Sequence, residues 1–264
     1  MPCLRRRQEN ESAVEPEFYK EYNRIENTHW WFLARRRIFL RLLSRYMIPR
    51  ETALILDVGC GTGTTLGYLS PYGRGFGVDI ERSALEYTRR RGISRVVQSA
   101  ASHLAFGDGT FDLVCALDIL EHVDNDAGVL HECYRTCKPG GLMLITVPAH
   151  RFLWGRQDEI SRHRRRYVAS DVRQRVADAG FSIRRLTYFN TLLFPIIAAI
   201  RLFRRWRGSH PEETLRSDFS MTQPGLLNDL LATIFAGESL LLPYLDLPFG
   251  VSVLCIAEKQ TAVV

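Results

Sequence analysis

Short apolar runs along this chain alternate with longer stretches whose apolar residues recur at helical spacing. Leu54-Ile55-Leu56 leads into Asp57, with Gly59, Gly61 and Gly63 close behind. An unbroken apolar run suits a strand buried on both faces, as in a parallel sheet. The glycines after it let the turn bring its backbone against a ligand where a Cβ would collide. Phe76 to Val78 reads as a second strand, ending at Asp79. Leu130 to Cys137 keeps its apolar residues on one face and reads as a helix. Ser170 and Asp171 open another, which runs to about Ala179 and stops at Gly180. Phe181 to Tyr188 and Ser252 to Glu258 read as strands. The alternation predicts an α/β fold.

The flanking segments carry different patterns. Residues 1–16 are polar and charged and are expected to form a disordered tail. Phe18 to Met47 is helical in pattern, which predicts an N-terminal helical cap over 17–50 ahead of a main domain over 51–264. Within that domain, roughly residues 189–248 separate the strand ending at Tyr188 from the one starting at Ser252. Leu192 to Phe203 is apolar, broken by Pro195, and is collared by Arg201, Arg204, Arg205 and Arg207. It is shorter than the ~20 residues a bilayer span needs. It reads either as a lid over an apolar acceptor or as an interfacial helix. The second apolar stretch, Leu226 to Leu242, favours the lid, because paired helices satisfy each other's apolar faces.

An acidic residue at the tip of the second strand can accept hydrogen bonds from both hydroxyls of a ribose, so Asp79 points to a nucleoside cofactor. A dinucleotide fingerprint would require glycine where Thr64 or Leu66 stands. The pattern Asp57-x-Gly59-x-Gly61-x-Gly63 instead resembles motif I of the class I S-adenosylmethionine (SAM) dependent methyltransferases. The resemblance continues through Phe106-Gly107-Asp108-Gly109-Thr110-Phe111-Asp112-Leu113-Val114, Leu120-Glu121-His122-Val123 and the turn Lys138-Pro139-Gly140-Gly141 before Leu142 to Val147. In that order, these motifs resemble the type 11, ubiquinone/menaquinone methylase-like branch.

The resemblance implies a Rossmann-like, seven-stranded, mostly parallel sheet with an antiparallel strand 7, helices on both faces, and here a helical insertion between strands 6 and 7. It implies SAM as cofactor. The expected binding residues are Asp57, Gly59, Cys60, Gly61, Gly63, Asp79, Ile80, Ala100, Ala101, Leu117 and His122. Ala100 stands where the family usually has an acid that accepts from the adenine amino group, a departure worth about 1 kcal/mol of affinity. Family members cover the cofactor cleft with N-terminal helices, which puts His29, Trp30 and Trp31 on the acceptor side; the alternative is a helix that packs its tryptophans on the sheet.

After Val147 the chain runs through His150, Trp154, Asp158, Glu159, His163, Arg164 and Tyr167. This segment leaves the ligand-binding edge of the sheet. His150 or His163 is the expected general base, with Tyr167, and Arg164 is expected to grip an anionic acceptor. A structural network anchored on Asp158 and Glu159 is the competing reading. No metal site is read from the spacing.

Composition changes this picture little. A content of 46% hydrophobic residues builds an ordinary core, and a net charge of +6 suits an anionic partner. That charge is almost all arginine, since lysine occurs only at Lys20, Lys138 and Lys259. The six cysteines, including Cys3, lack zinc-ligand spacing and read as reduced core thiols. Arg5-Arg6-Arg7 is followed by no apolar segment, so a cytoplasmic location is expected, with peripheral membrane contact open. The functional reading is methyl transfer to an O, N or C nucleophile of a small-molecule or lipid- or glycan-linked acceptor. RNA methylation and non-catalytic SAM binding are the alternatives. Nucleic acid is disfavoured, because Ala116-Leu117-Asp118-Ile119 stands where an amino-methylating Asn-Pro-Pro-Tyr motif would.

Overall fold

The computed structural model describes residues 16–207 and 224–261. The tail expected over 1–16 lies outside the described residues except for Pro16, which opens α1. In chain order the elements are α1 (Pro16–Ile25), α2 (Trp30–Leu43), β1 (Leu54–Val58), α3 (Thr64–Leu69), β2 (Arg74–Asp79), α4 (Arg82–Arg90), β3 (Val96–Gln98), β4 (Phe111–Leu117) and α5 (Asp126–Thr136). They continue with β5 (Cys137–Pro148), α6 (Arg156–Ile160), α7 (Ala169–Asp178), β6 (Ser182–Phe189), α8 (Phe194–Arg207), α9 (Leu226–Leu241) and β7 (Ser252–Glu258). Short 3-10 turns lie at Leu120–His122 and Arg151–Leu153.

The strands form one seven-stranded sheet in the order β3-β2-β1-β4-β5-β7-β6. Pairing is parallel from β3 through β5, and β7 runs antiparallel to both its neighbours. Successive residues of the central strands point to opposite faces, and both faces are dry. Leu56, Val114, Ile145 and Cys255 meet α5 and α7 through Leu130, Cys133, Val172 and Val176. Ile55, Leu113, Leu144 and Ile256 meet Ala34, Ile38, Phe39 and Leu42 of α2 and Phe235 of α9. Each such fully buried aliphatic or aromatic side chain contributes about 1.5–3 kcal/mol.

The long N-terminal helical pattern is two helices, broken at Asn27-Thr28-His29. His29 caps α2, its Nδ1 accepting from the Trp31 amide at 3.3 Å. Asn228 of α9 adds a second cap: its Oδ1 accepts from Trp30 N at 2.8 Å and its Nδ2 donates to Thr28 O at 2.9 Å. The two insertion helices do not pair with each other as their patterns suggested. Phe235 of α9 is buried against Trp30 and Trp31, whereas α8 packs beside the Arg151–Leu153 turn. Glu238 joins α9 to the end of β6. Its buried carboxylate accepts from the amides of Asn190, Thr191 and Leu192 at 2.7, 2.6 and 2.8 Å.

Candidate active site

The order of strands reverses between β1 and β4, and a crevice opens at their carboxyl ends, where open α/β sheets bind ligands. A cavity of about 570 Å³ occupies it. At one end the loop after β1 turns through Gly59 and Gly61, with φ of 73° and 52°. The amides of Gly59 and Cys60 donate to Val78 O at 2.8 and 2.9 Å, which holds the loop against β2. Asp79 ends β2 with Oδ2 accepting from Gly61 N at 2.8 Å and Oδ1 from Glu81 N at 2.9 Å. Burial raises its pKa from the usual carboxylate range, opposed by those amide bonds.

A Cβ added at Gly61 would meet no protein atom within 4 Å, so the cradle is open on the ligand side. The arrangement fits a SAM nucleoside, with Asp79 presenting lone pairs to ribose hydroxyls and Ile80, Ala100, Ala101 and Leu117 lining the same space. Glu26, in the turn after α1, closes over the loop, accepting from the Thr62 hydroxyl and pairing with Arg91.

The rest of the cavity wall mixes aromatic, basic and acidic residues, with Asp124 paired to Arg164. Trp30, Trp31, His163, Arg164, Arg201 and Arg204 all line it. Arg35 lies between the two ends, 5.3 Å from the Trp31 ring centroid, pairing with Asp118 and donating to Thr146 Oγ1 at 2.8 Å. Asp118 adopts a left-handed φ of 54°, a strained conformation that the Arg35 and Thr146 contacts hold in place. Glu121 is 1% exposed, and neither carboxylate oxygen has a hydrogen-bond partner on another residue. Burial, and then Asp118, raise its pKa well above the carboxylate range. His122 and His163 stand ring to ring at 4.8 Å, and burial pushes His122 down to about 4. Donor atoms of Glu121, His122 and His163 lie within 4.8 Å of one another, a spacing that also admits a divalent cation.

Residues 56–145 match the family model of a methyltransferase domain. Residues 56–145 are a class I, type 11 methyltransferase domain. It is 30% identical over 162 residues to a probable S-adenosylmethionine-dependent methyltransferase of Mycobacterium tuberculosis, covering 60% of this chain and 57% of that protein. It is 34% identical over 106 residues to the ubiquinone biosynthesis O-methyltransferase of Thiobacillus denitrificans, covering 38% of this chain and 46% of that one. The protein solved in complex with the Haloferax volcanii Trm112 methyltransferase activator shares the fold, with a TM-score of 0.61 at 16% identity over 94% of this chain and 98% of that one. The chain spans about half the length of these curated relatives.

The cavity brings together Gly59, Cys60, Gly61, Asp79, Ile80, Ala100, Ala101, Leu117 and His122 of this methyltransferase domain with His29, Trp30, Trp31, His163 and Arg164 from outside it. Four expected residues stand elsewhere. Asp57 is buried behind the loop, its pKa raised to about 8 by burial and then by Asp79, and it does not line the cavity. Gly63 caps α3 and backs on Thr88, where a Cβ would come within 2.6 Å of Cγ2, so its glycine serves packing. His150 stacks on Tyr188 at 5.0 Å, away from the cavity. Tyr167 is buried, its hydroxyl donating to Asp126 Oδ2 at 2.8 Å.

The Asp158 network exists as well. His163 Nδ1 lies 2.8 Å from Asp158 Oδ1, and Arg166 grips both carboxylate oxygens at 2.7 and 2.9 Å. Burial alone would raise the Asp158 pKa, but the bonds from His163 and Arg166 hold it well below the usual carboxylate range. Glu26, Asp118, Glu121 and Arg201 escaped the sequence reading as site residues. Glu121, inside the Leu120-Glu121-His122-Val123 motif, was the one with a legible signal.

Proposed function

We propose that the chain transfers the methyl group of SAM to an O, N or C nucleophile on an anionic small-molecule or lipid- or glycan-linked acceptor. The observation that carries this is that one cavity is lined both by the Gly61–Asp79 cradle and by Trp30, Trp31, Glu121 and His163. Bound SAM supplies a methyl already activated on a sulfonium, so the chain's part is to align, exclude water and move one proton. Trp30 and Trp31 flank the acceptor, and Arg204 adds positive charge to the wall, while Arg164 is held by Asp124 and the His122 carbonyl. Asp158 fixes the His163 ring through Nδ1, which leaves Nε2 to take a proton from the acceptor. Glu121, kept neutral by burial, donates to an acceptor oxygen. The relative named for ubiquinone biosynthesis O-methylation makes a hydroxyl the first acceptor group to try.

Calorimetry with SAM, followed by S-adenosylhomocysteine release against separate lipid, small-molecule and RNA fractions, tests the reading. Turnover is expected with lipid or small-molecule fractions. Turnover on RNA alone, or SAM binding with no turnover on any fraction, would favour the alternatives.

A further inference from the structure

We propose that the outward face of α8 docks the protein on an anionic lipid surface, with the helix lying in the plane of the interface. Two faces of this helix do different things. Ile197, Arg201 and Arg204, spaced by four and three residues, line the cavity, and Arg201 donates to Leu153 O. The opposite stripe holds Ile196, Leu202, Phe203 and Trp206, all exposed; Phe203 is 53% and Trp206 81% exposed. Their rings lie 6.1 Å apart. At the start of the helix Phe194, on the same side as Ile197 and Arg201, contacts Phe249 at 5.4 Å and Phe152 at 6.2 Å, which ties that end to the body of the protein.

An apolar stripe this open costs free energy in water, so its retention calls for an occupant. Charge selects among the candidates. The sequence of α8, FPIIAAIRLFRRWR, contains no acid, and its last turn carries Arg204, Arg205 and Arg207. A second copy of this chain, seated antiparallel by a two-fold contact, would cover the stripe but bring no acid from its own α8 to Arg205 and Arg207. A bilayer of anionic lipid takes both halves of the face: acyl chains receive Ile196, Phe203 and Trp206, and headgroups receive Arg205 and Arg207. A tryptophan beside arginines is the residue pairing that settles at headgroup depth. No helix among the described residues is long and apolar enough to cross a membrane, which leaves interfacial binding as the mode. The same helix walls the acceptor end of the cavity with its inner face, so docking would hold that end one helix away from the lipid surface.

The full chain is sedimented with vesicles of equimolar phosphatidylglycerol and phosphatidylcholine, and with phosphatidylcholine alone. Binding is expected only to the former, weakening as salt rises. The double variants Phe203→Glu/Trp206→Glu and Arg205→Glu/Arg207→Glu should each lose about tenfold or more of it with melting temperature unchanged. No binding by the folded wild type, equal binding to both vesicles, unchanged binding by either double variant, or a concentration-dependent dimer abolished by Trp206→Glu would each overturn the proposal. This proposal rests on the methyl-transfer reading only for the place of the cavity; because sedimentation is read without SAM and without turnover, failure here is distinguishable from failure of that reading.

Discussion

His29 holds the first turn of α2 only in its neutral form. Its Nδ1 accepts from the Trp31 amide, and protonation would remove that acceptor and set a cation at a helix N-terminus. Burial lowers its pKa from 6.5 to about 4. A histidine depressed in the folded state stabilises above its unfolded pKa and loses that contribution as pH falls from about 6.5 towards 4. His29→Asn keeps an acceptor that does not titrate, so the gap in melting temperature between pH 7 and pH 4.5 should shrink in the variant. An unchanged gap would remove His29 from the acid response. Asp158 is a different case, because it is fully buried and meets His163 and Arg166 at once. Asp158→Asn should cost about 3–5 kcal/mol by denaturant unfolding. His163→Ala should instead cut turnover about 10²-fold or more while SAM affinity stays the same; a loss of stability alone would return His163 to a purely structural role.

Among the elements, the glycine loop and the α9 clasp separate packing from binding. Gly61→Ala, at a left-handed φ of 52°, costs about 1 kcal/mol of stability, but its methyl projects into open cavity and should weaken SAM binding by more than that. Gly63→Ala, with φ of 83° and Thr88 Cγ2 2.6 Å from the new Cβ, should do the reverse and cost about 1–3 kcal/mol in stability. Equal effects on both measurements would contradict this division. Glu238→Ala strands the amides of Asn190, Thr191 and Leu192, each costing about 1–3 kcal/mol when left unsatisfied, and should loosen the junction between β6 and α8. Faster hydrogen exchange over residues 190–193 is the readout. The clasp also explains why the insertion patterns misled: apolar periodicity marks a face that needs cover without naming the cover. For α9 that cover is α2, which leaves the outer stripe of α8 open to solvent.

Across the whole molecule, the sheet was legible because burial on both faces forces apolar runs, and β7 spans Ser252–Glu258 as the pattern predicts. The cofactor end was legible because a close backbone approach demands glycine and a ribose demands an acid. The acceptor end was less so, since its chemistry comes from elements distant in sequence. Arg35 of α2 meets Asp118 after β4 and Thr146 in β5, and Glu26 reaches Thr62, juxtapositions that no local spacing encodes. His150 and Tyr167 were misplaced for a local reason: His150 adopts a left-handed φ of 56°, and the segment around it pairs with Tyr167, which sends both rings away from the cavity. What the account rests on most is that Asp79, held by the Gly61 amide, receives the SAM ribose. Calorimetric titration of SAM into the wild type and the folded Asp79→Ala variant measures this directly. The variant should bind about 10- to 100-fold more weakly, the loss of charge-assisted hydrogen bonds worth about 1.5–3 kcal/mol; equal affinities in the two proteins would contradict the account.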